Sequence, residues 1–586
     1  MKKQLLFVLL ICASQTIFTQ IPTYQWAYSI GDVNQEYLNT LKTDSENNII
    51  IAGDMYGTTD MNPTEFLKIL TSHGGLDAYI VKFDADGNVA WGINFGGTNY
   101  DGIVNMAIDK NDNIYVIGYF AGTADLNPDM VDQKLVVSNG GYDMFLAKFD
   151  KNGVFVWGQS FGALGDDWIN NLTIDENDNL YITGQFSGTV DFDGSDAGEL
   201  SINSTLDKYD GFVAKYNLDG AVSWAFRIGG FDDDISNEIA VNHDGDIIVT
   251  GTFQGTADFT GQFLDAADGT LLGWPKEGDA YIAKYDNEAN LKWAKSIKGD
   301  TGFNGGYSNT VQALALDNDD NIIVTGLIYG KADFDMGDDE HLITTFADYD
   351  SYFAKYDTEG NFVWSYVTAP KVVGYNLDLL VDYNNDIYLA GDYNYSTGIP
   401  YEADFDVDPD SIYMLQGHGE KDAYIAKYNA NAEILWAYSV GGSGWEFATA
   451  IDLDNDLNIC VGGWFYNTTD FDANPDSNFI WLPYIEPTYG NNVWMGKYDQ
   501  DVLVPVAINN NEILNNTMLI APNPAVDFIN LYFSNQVAAG ETIIIKDITG
   551  KIAGQYSMRN KLEINNLSPG IYFIQAGNLV TQFVKL

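Results

Sequence analysis

The stretch Asp143–Trp157 reads DMFLAKFDKNGVFVW, and the chain repeats it. DAYIVKFDADGNVAW ends at Trp91, DGFVAKYNLDGAVSW at Trp224, and DAYIAKYDNEANLKW at Trp293. DSYFAKYDTEGNFVW ends at Trp364 and DAYIAKYNANAEILW at Trp436. A further copy starts as NVWMGKYDQ around Lys497 and stops before any tryptophan. The missing half stands at the other end of the chain, in TYQWAYSIG around Trp26. Lysine halves (Lys82, Lys148, Lys215, Lys284, Lys355, Lys427, Lys497) and tryptophan halves are therefore equal in number and offset by one. Such an offset predicts a ring of seven units, closed by pairing an N-terminal strand with the last unit.

Working outward, the unit that begins near Ile103 predicts four strands. Strand a is Ile103–Asp109, strand b Asn113–Phe120, strand c Met144–Phe149 and strand d Val154–Phe161, with a long loop, AGTADLNPD, opening the b–c connection. Val, Ile, Tyr, Phe and Trp fill the strands with a period nearer two than 3.6, and Asn152-Gly153, Asp86-Gly87 and Asp219-Gly220 mark c–d hairpins. Strand b reaches a glycine in every copy: Gly53, Gly118, Gly184, Gly251, Gly326, Gly391 and Gly463. Upstream of each stands an aspartate, or Asn242 in the fourth copy, which predicts a fixed a–b hairpin. Residues 21–501 thus read as a seven-bladed β-propeller, because a lone blade cannot bury both faces whereas stacked blades can.

Bulk properties bound the partners. The 586 residues carry 83 acids against 28 bases, a net charge of −55. Phosphate binding needs clustered Lys and Arg, so nucleic acid is excluded as a partner. The imbalance lies in the repeats, since residues 502–586 hold five acids and five bases. Residues 1–20, MKKQLLFVLLICASQTIFTQ, have the basic start, apolar run and polar end of a secretory signal, too short in its apolar part to span a bilayer. No later stretch reads as transmembrane. Cys12 lies in that leader, leaving Cys460 alone in the body and no disulfide within a processed chain.

An Asn-rich linker, 502–516, leads to a final segment, 517–586. Strands at Phe528–Phe533, Thr542–Asp547, Lys551–Tyr556 and Gly570–Ala576 predict a small β-sandwich. Pro522-Asn523-Pro524, the DITGK turn at Asp547–Lys551, the run Leu567–Tyr572 and the ending Val584-Lys585-Leu586 resemble the type A C-terminal sorting domain of the type IX secretion system. This resemblance implies that the secretion machinery is a partner. It also implies periplasmic transit, export across the outer membrane of a Gram-negative cell, and removal of the domain there with attachment or release. The body is similar to propeller repeat proteins through motifs of the form IDxNDNIYVTGxFxGTxDF and DxFxAKYDxxGxxxW, a likeness that fixes architecture and not activity.

The recurring tryptophan and lysine read as packing between blades, with the lysine stem lying against aromatics and its head paired to a repeated aspartate. The loops after strand b place acids at alternate positions. Asp404, Asp406 and Asp408 form one set, and Asp470, Asp472 and Asn474 another. Alternating oxygen donors suit Ca²⁺, which takes six to eight oxygens. Asp, Asn and Pro also form ordinary solvated turns, so both readings stand. No GxSxG, HExxH or P-loop occurs, and the four histidines share no repeat position. The expected role is therefore non-catalytic binding, adhesion or scaffolding on a surface, toward a glycan or protein. The alternative is a propeller-type carbohydrate-active hydrolase or lyase.

Overall fold

The computed structural model describes residues 22–500 and 518–585 with interruptions, the longest being 267–277, 300–308, 395–401, 473–480, 483–490 and 534–541. The leader 1–20, the linker 502–516 and Asn474 lie outside the described residues. The chain divides into two compact units, Met1–Leu503 and Val504–Leu586.

The first unit is a ring of antiparallel sheets. The inner strands a are Glu36–Thr43, Gly102–Ile108, Trp168–Ile174, Ile235–Val241, Thr310–Leu316, Val373–Val381 and Glu446–Leu453. Each packs against the next, and the last packs against the first. From each, strands b, c and d follow outward in order, as in Trp168–Ile174, Asn179–Ser187, Tyr209–Asn217 and Val222–Gly230. The seventh sheet draws a, b and c from the end of the ring and takes the N-terminal strand Thr23–Ile30 as its d, paired with Asn492–Asp499. This all-β propeller contains no helix long and apolar enough to cross a membrane among its described residues.

The core lies between sheets. One cluster joins Ile50, Ala52 and Ile80 of the first sheet to Ile103, Val116 and Phe149 of the second. Another joins Leu38, Ile49 and Val81 to Ala450, Cys460 and Met495 across the seam. Strands b and c therefore have neighbours on both faces. Ile247–Phe253 and Gly278–Tyr285 are buried at every position. Here the period-two expectation fails, because alternation needs one wet face. The outer strands are only partly covered, as in Phe155–Phe161.

Two side chains per sheet mortar the joints. Lysine and tryptophan sit opposite each other in register, Lys148 with Trp157 and Lys215 with Trp224. Trp157 Nε1 donates to the Leu218 carbonyl in the next c–d turn at 3.2 Å, and Lys148 Nζ to the same oxygen at 3.3 Å. In other sheets the lysine head meets the a–b aspartate, as Lys82 with Asp44 at 2.6 Å and Lys355 with Asp317 at 2.7 Å. Where Asn242 replaces that aspartate, Lys284 takes Asp246 instead, at 3.1 Å. The aspartate also caps its hairpin: Asp44 Oδ1 accepts from the amides of Glu46 and Asn48, each at 2.9 Å.

The strand-b glycine has a steric cause. Strand a bulges between Ile103 and Asn105, and the kink pushes its backbone toward strand b. A Cβ on Gly118 would be driven into the Gly102 carbonyl oxygen, and one on Gly251 into that of Ile235.

The b–c connection corrects the loop reading. In the second sheet, strand b runs on to Asp125 and strand c begins at Leu135, so AGTAD belongs to a β-ribbon bent where register shifts between Ala121 and Thr123. These ribbons hook adjacent sheets together. Gly96 and Gly97 at the end of one strand d pair with Asp125 and Ala124 of the next ribbon.

The second unit is a two-sheet arrangement. Met518–Ala521, Phe528–Phe533 and Lys561–Glu563 form one sheet. Ile552–Ser557, Thr542–Asp547, Gly570–Ala576 and Leu579–Lys585 form the other. Ile543, Ile545, Leu562 and Ile574 are buried.

Candidate functional site

The sequence-predicted acidic loops close the b–c ribbons. Asp404 Oδ1 accepts the amides of Asp406 (3.1 Å) and Tyr413 (2.8 Å). Asp406 accepts the Asp408 amide at 3.0 Å and the Ser411 hydroxyl. Asp470 Oδ1 takes the Asp472 amide at 3.1 Å. Asp60, Asp125, Asp191 and Asp333 do the same in their ribbons. The first aspartate of each loop thus folds its own turn. Among the described residues, no group of three or more His, Cys, Asp or Glu is placed to hold a metal ion.

A different set of residues varies against this repeated frame. Directly after each strand-b glycine stands a residue whose cross-strand partner lies just before the bulge of strand a. The pairs are Tyr37/Asp54, Gly102/Tyr119, Trp168/Gln185, Ile235/Thr252, Thr310/Leu327, Tyr375/Asp392 and Phe447/Trp464. Six different pairs occur in the seven sheets, with Tyr/Asp used in both the first and the sixth. The frame fixes where each pair sits, and the pair sets what the rim of the ring presents.

Aromatic and charged pairs join into an arc. Tyr37 meets Trp464 edge-on at 6.1 Å, and Trp464 stacks on Phe447 at 3.7 Å. Lys421 Nζ lies over Phe447 at 4.5 Å and over Tyr375 at 5.0 Å, and it pairs with Asp392 at 2.9 Å. On the other side, Tyr119 donates to Asp54 Oδ2 at 3.2 Å and meets Trp168 at 5.6 Å. The arc thus runs through five of the seven sheets, while Ile235/Thr252 and Thr310/Leu327 interrupt it.

Burial raises the Asp54 carboxyl to about 7, against hydrogen bonds from Tyr119 and Asn39 that favour the ionised form. Burial likewise lifts Asp392 to about 6, opposed by Lys421. Beside Trp464, Glu420, Trp445 and Tyr466 line a surface recess of about 360 Å³. Trp445 is 45% exposed, meets Tyr466 edge-on at 6.0 Å, and donates its Nε1 to Glu420 at 2.8 Å. Further along the inner strands, a polar cavity of about 470 Å³ lies among Thr40, Lys42, Asn105, Asn171, Glu238 and Asp378. Burial pushes the Glu238 carboxyl well up, Asp378 adds to the rise, and Lys42 opposes it.

The arc is invisible to repeat patterns because its residues vary between copies. The signal for it is the position after the glycine, which takes six different residue types in seven copies.

Residues 519–585 match the family described as secretion system C-terminal sorting domain. The tail is a secretion sorting domain. It marks the protein as one exported by the type IX secretion system. Residues 156–185 match a beta-propeller repeat, which agrees with the sheet topology ahead of the sorting domain. A curated relative is an uncharacterised WD repeat-containing protein of Acanthamoeba polyphaga mimivirus, 26% identical over 505 residues. The match covers 75% of this chain and 36% of that protein, so the chain spans about a third of the relative's length. Similar solved structures include an ulvan lyase bound to -[GlcA(1-4)Rha3S]-, 13% identical with a TM-score of 0.34 over 72% of this chain and 88% of that one. An apocarotenoid oxygenase of Synechocystis is 12% identical, with a TM-score of 0.35 over 80% of this chain and 97% of that one.

Proposed function

We propose that this protein is a surface-delivered, non-catalytic binding protein whose ring engages a glycan through the aromatic arc. One observation carries the reading: an otherwise repetitive frame gathers aromatic side chains that vary from sheet to sheet along one rim. Sugar rings offer C–H faces that lie on aromatic side chains and hydroxyls that donate to carboxylates; the arc supplies the first and the exposed Glu420 beside it the second. The recess at Trp445 and Glu420 extends the same chemistry. A protein ligand at this rim is the outcome to be distinguished. After a signal-directed passage through the periplasm, the sorting domain delivers the ring to the outer face of a Gram-negative cell.

The test is a binding screen of the protein against polysaccharides and surface proteins, repeated with Trp464→Ala. Binding to a glycan that the variant loses supports the reading. Binding to proteins alone, or glycan binding that the variant keeps, overturns it. A second reading, a carbohydrate-active hydrolase or lyase, draws support from Asp54, whose carboxyl burial raises to about 7, in the range of a general acid or base. Release of shortened or unsaturated products, abolished by Asp54→Asn, would establish that reading instead.

A further inference from the structure

At four joints between consecutive sheets, an acid that opens the core of strand c approaches an acid that precedes or opens the next strand a. The pairs are Asp77 with Asp101, Asp143 with Asp167, Asp210 with Asp234, and Asp422 with Glu446. A glycine stands between the members of each pair because the carboxylates occupy the space of a side chain. A Cβ on Gly96 would lie 2.8 Å from Asp101 Oδ2 and 3.1 Å from Asp77 Cγ. On Gly162 it would strike the Asp143 carboxylate itself.

Two like charges buried together in low dielectric must be neutralised. The ring shows how most joints manage this. His73 Nδ1 lies 2.6 Å from Asp77, and Arg227 lies 2.9 Å from Asp210, so those joints carry a base. Elsewhere an amide replaces one acid: Asn309 stands with Asp279, and Asn492 with Glu36, around Gly299 and Gly31. Asn309 keeps the bond of the acid it replaces. Its Oδ1 accepts the Tyr329 amide at 3.1 Å, as Asp167 Oδ1 accepts the Ser187 amide at 2.9 Å.

The Asp143–Asp167 joint has neither device. Asp143 is 1% exposed and Asp167 is fully buried. Asp143 Oδ2 accepts the Asn139 amide at 2.9 Å, while no hydrogen-bond donor reaches the buried Oδ1. Asp167 takes the amides of Ala163 (2.6 Å) and Ser187 on its two oxygens. The charged groups facing the pair are acids: Asp143 and Asp167 face each other, and Asp166 faces Asp167. A divalent cation needs free oxygen lone pairs in number, and backbone N–H groups already occupy three of the four carboxylate oxygens.

We propose that the Asp143–Asp167 joint, where the Asp167 amide donates to the Tyr142 carbonyl at 2.7 Å, is a proton-binding site, in which a proton held on one of the two buried carboxylates removes a charge as an amide does at the Asn309 and Asn492 joints. Burial lifts the Asp143 carboxyl to about 7, the Asn139 amide opposes that rise, and Asp167 adds to it. The Asp422–Glu446 joint follows the same pattern, with Glu446 raised to about 8 by burial and by Asp422 against a hydrogen bond from Thr469. A carboxyl raised in the folded state binds its proton more tightly there than in the unfolded chain. Its effect on stability is favourable up to the unfolded value near 4, fades as pH rises, and is gone above about 7.

The test is the thermal midpoint of the full chain from about pH 5 to about pH 9, compared with Asp143→Asn. The expected result is a midpoint that falls with pH in the parent and falls less in the variant, so that the variant gains on the parent toward alkaline pH. Should Asp143→Asn not fold, Asp167→Asn must show the same flattening. A variant with the parent's pH slope overturns the proposal, because both carboxylates would then already be ionised. So does a rise in the parent's midpoint with millimolar Ca²⁺ at alkaline pH that Asp143→Asn lacks, because a cation would then fill the joint.

Discussion

Trp26 lies directly opposite Lys497 in the seventh sheet. The relationship is the one that Trp91 has with Lys82 and Trp436 with Lys427, except that here the two residues come from opposite ends of the ring sequence. Gly87 of the first sheet rests against Trp26 as Gly153 rests against Trp91, so the joint is built of the same parts as the others. Deleting residues 22–30 removes an entire outer strand and opens this seam. The expected outcome is a fall in thermal midpoint of at least about 10 °C, beyond the few degrees that each kcal/mol gives in a large domain. An unchanged melt would show that the ring stands without it.

The strand-b glycines are steric necessities. Gly118→Ala places a methyl in the Gly102 carbonyl oxygen opposite the bulge. A cost of about 3 kcal/mol or more is expected in denaturant unfolding, at the upper end for overpacked cores. A loss below about 1 kcal/mol would mean that the bulge relaxes freely.

Lys355 and Asp317 form a buried ion pair at 2.7 Å. Burial alone would raise the Asp317 carboxyl, but hydrogen bonds from Lys355 and Asn321 hold it below its ordinary value. Its stabilising effect is therefore present above the unfolded value near 4 and is lost as pH falls through the lower folded value. Lys355→Ala strands the carboxylate and should cost about 3 to 5 kcal/mol at neutral pH, with a smaller difference from the parent in strong acid. Equal costs at both pH values would contradict the pairing.

Trp445 is half exposed in the recess with Glu420 and Tyr466. Trp445→Ala should weaken glycan binding about tenfold, or 1.4 kcal/mol, while leaving the melt within a degree or two. Weakened stability with unchanged affinity would remove the recess from the binding surface.

Removal of residues 517–586 takes away the sorting domain. The shortened protein should be retained in the periplasm, read by fractionation and surface labelling, and normal surface delivery would refute the role of the tail.

The architecture was legible because its signals repeat. The lysine and tryptophan halves, the strand-b glycine and the hairpin aspartate each do one job many times, so their spacing encodes the ring and its closure. The ribbon after strand b was misread as a loop because Gly122 and Thr123 look like turn residues, whereas their role is to bend a pairing that continues to Asp125. The arc was hidden for the opposite reason. Asp54, Tyr119 and Trp464 belong to no motif, and only the closed ring brings Trp464 of the last sheet beside Tyr37 of the first. The acid pairs were equally invisible, since Asp143 and Asp167 belong to different sheets and meet only where those sheets stack.

The seam also imposes an order of events on biogenesis. Of the ring's strands, Thr23–Ile30 is the first to be made and its partner Asn492–Asp499 the last. Until then the earliest strand has an empty edge and the ring cannot shut. The export address begins only a short way beyond, at residue 519. Closure of the cargo and completion of its address label thus fall at almost the same moment, so that a chain cut short loses both its finished shape and its ticket out of the cell.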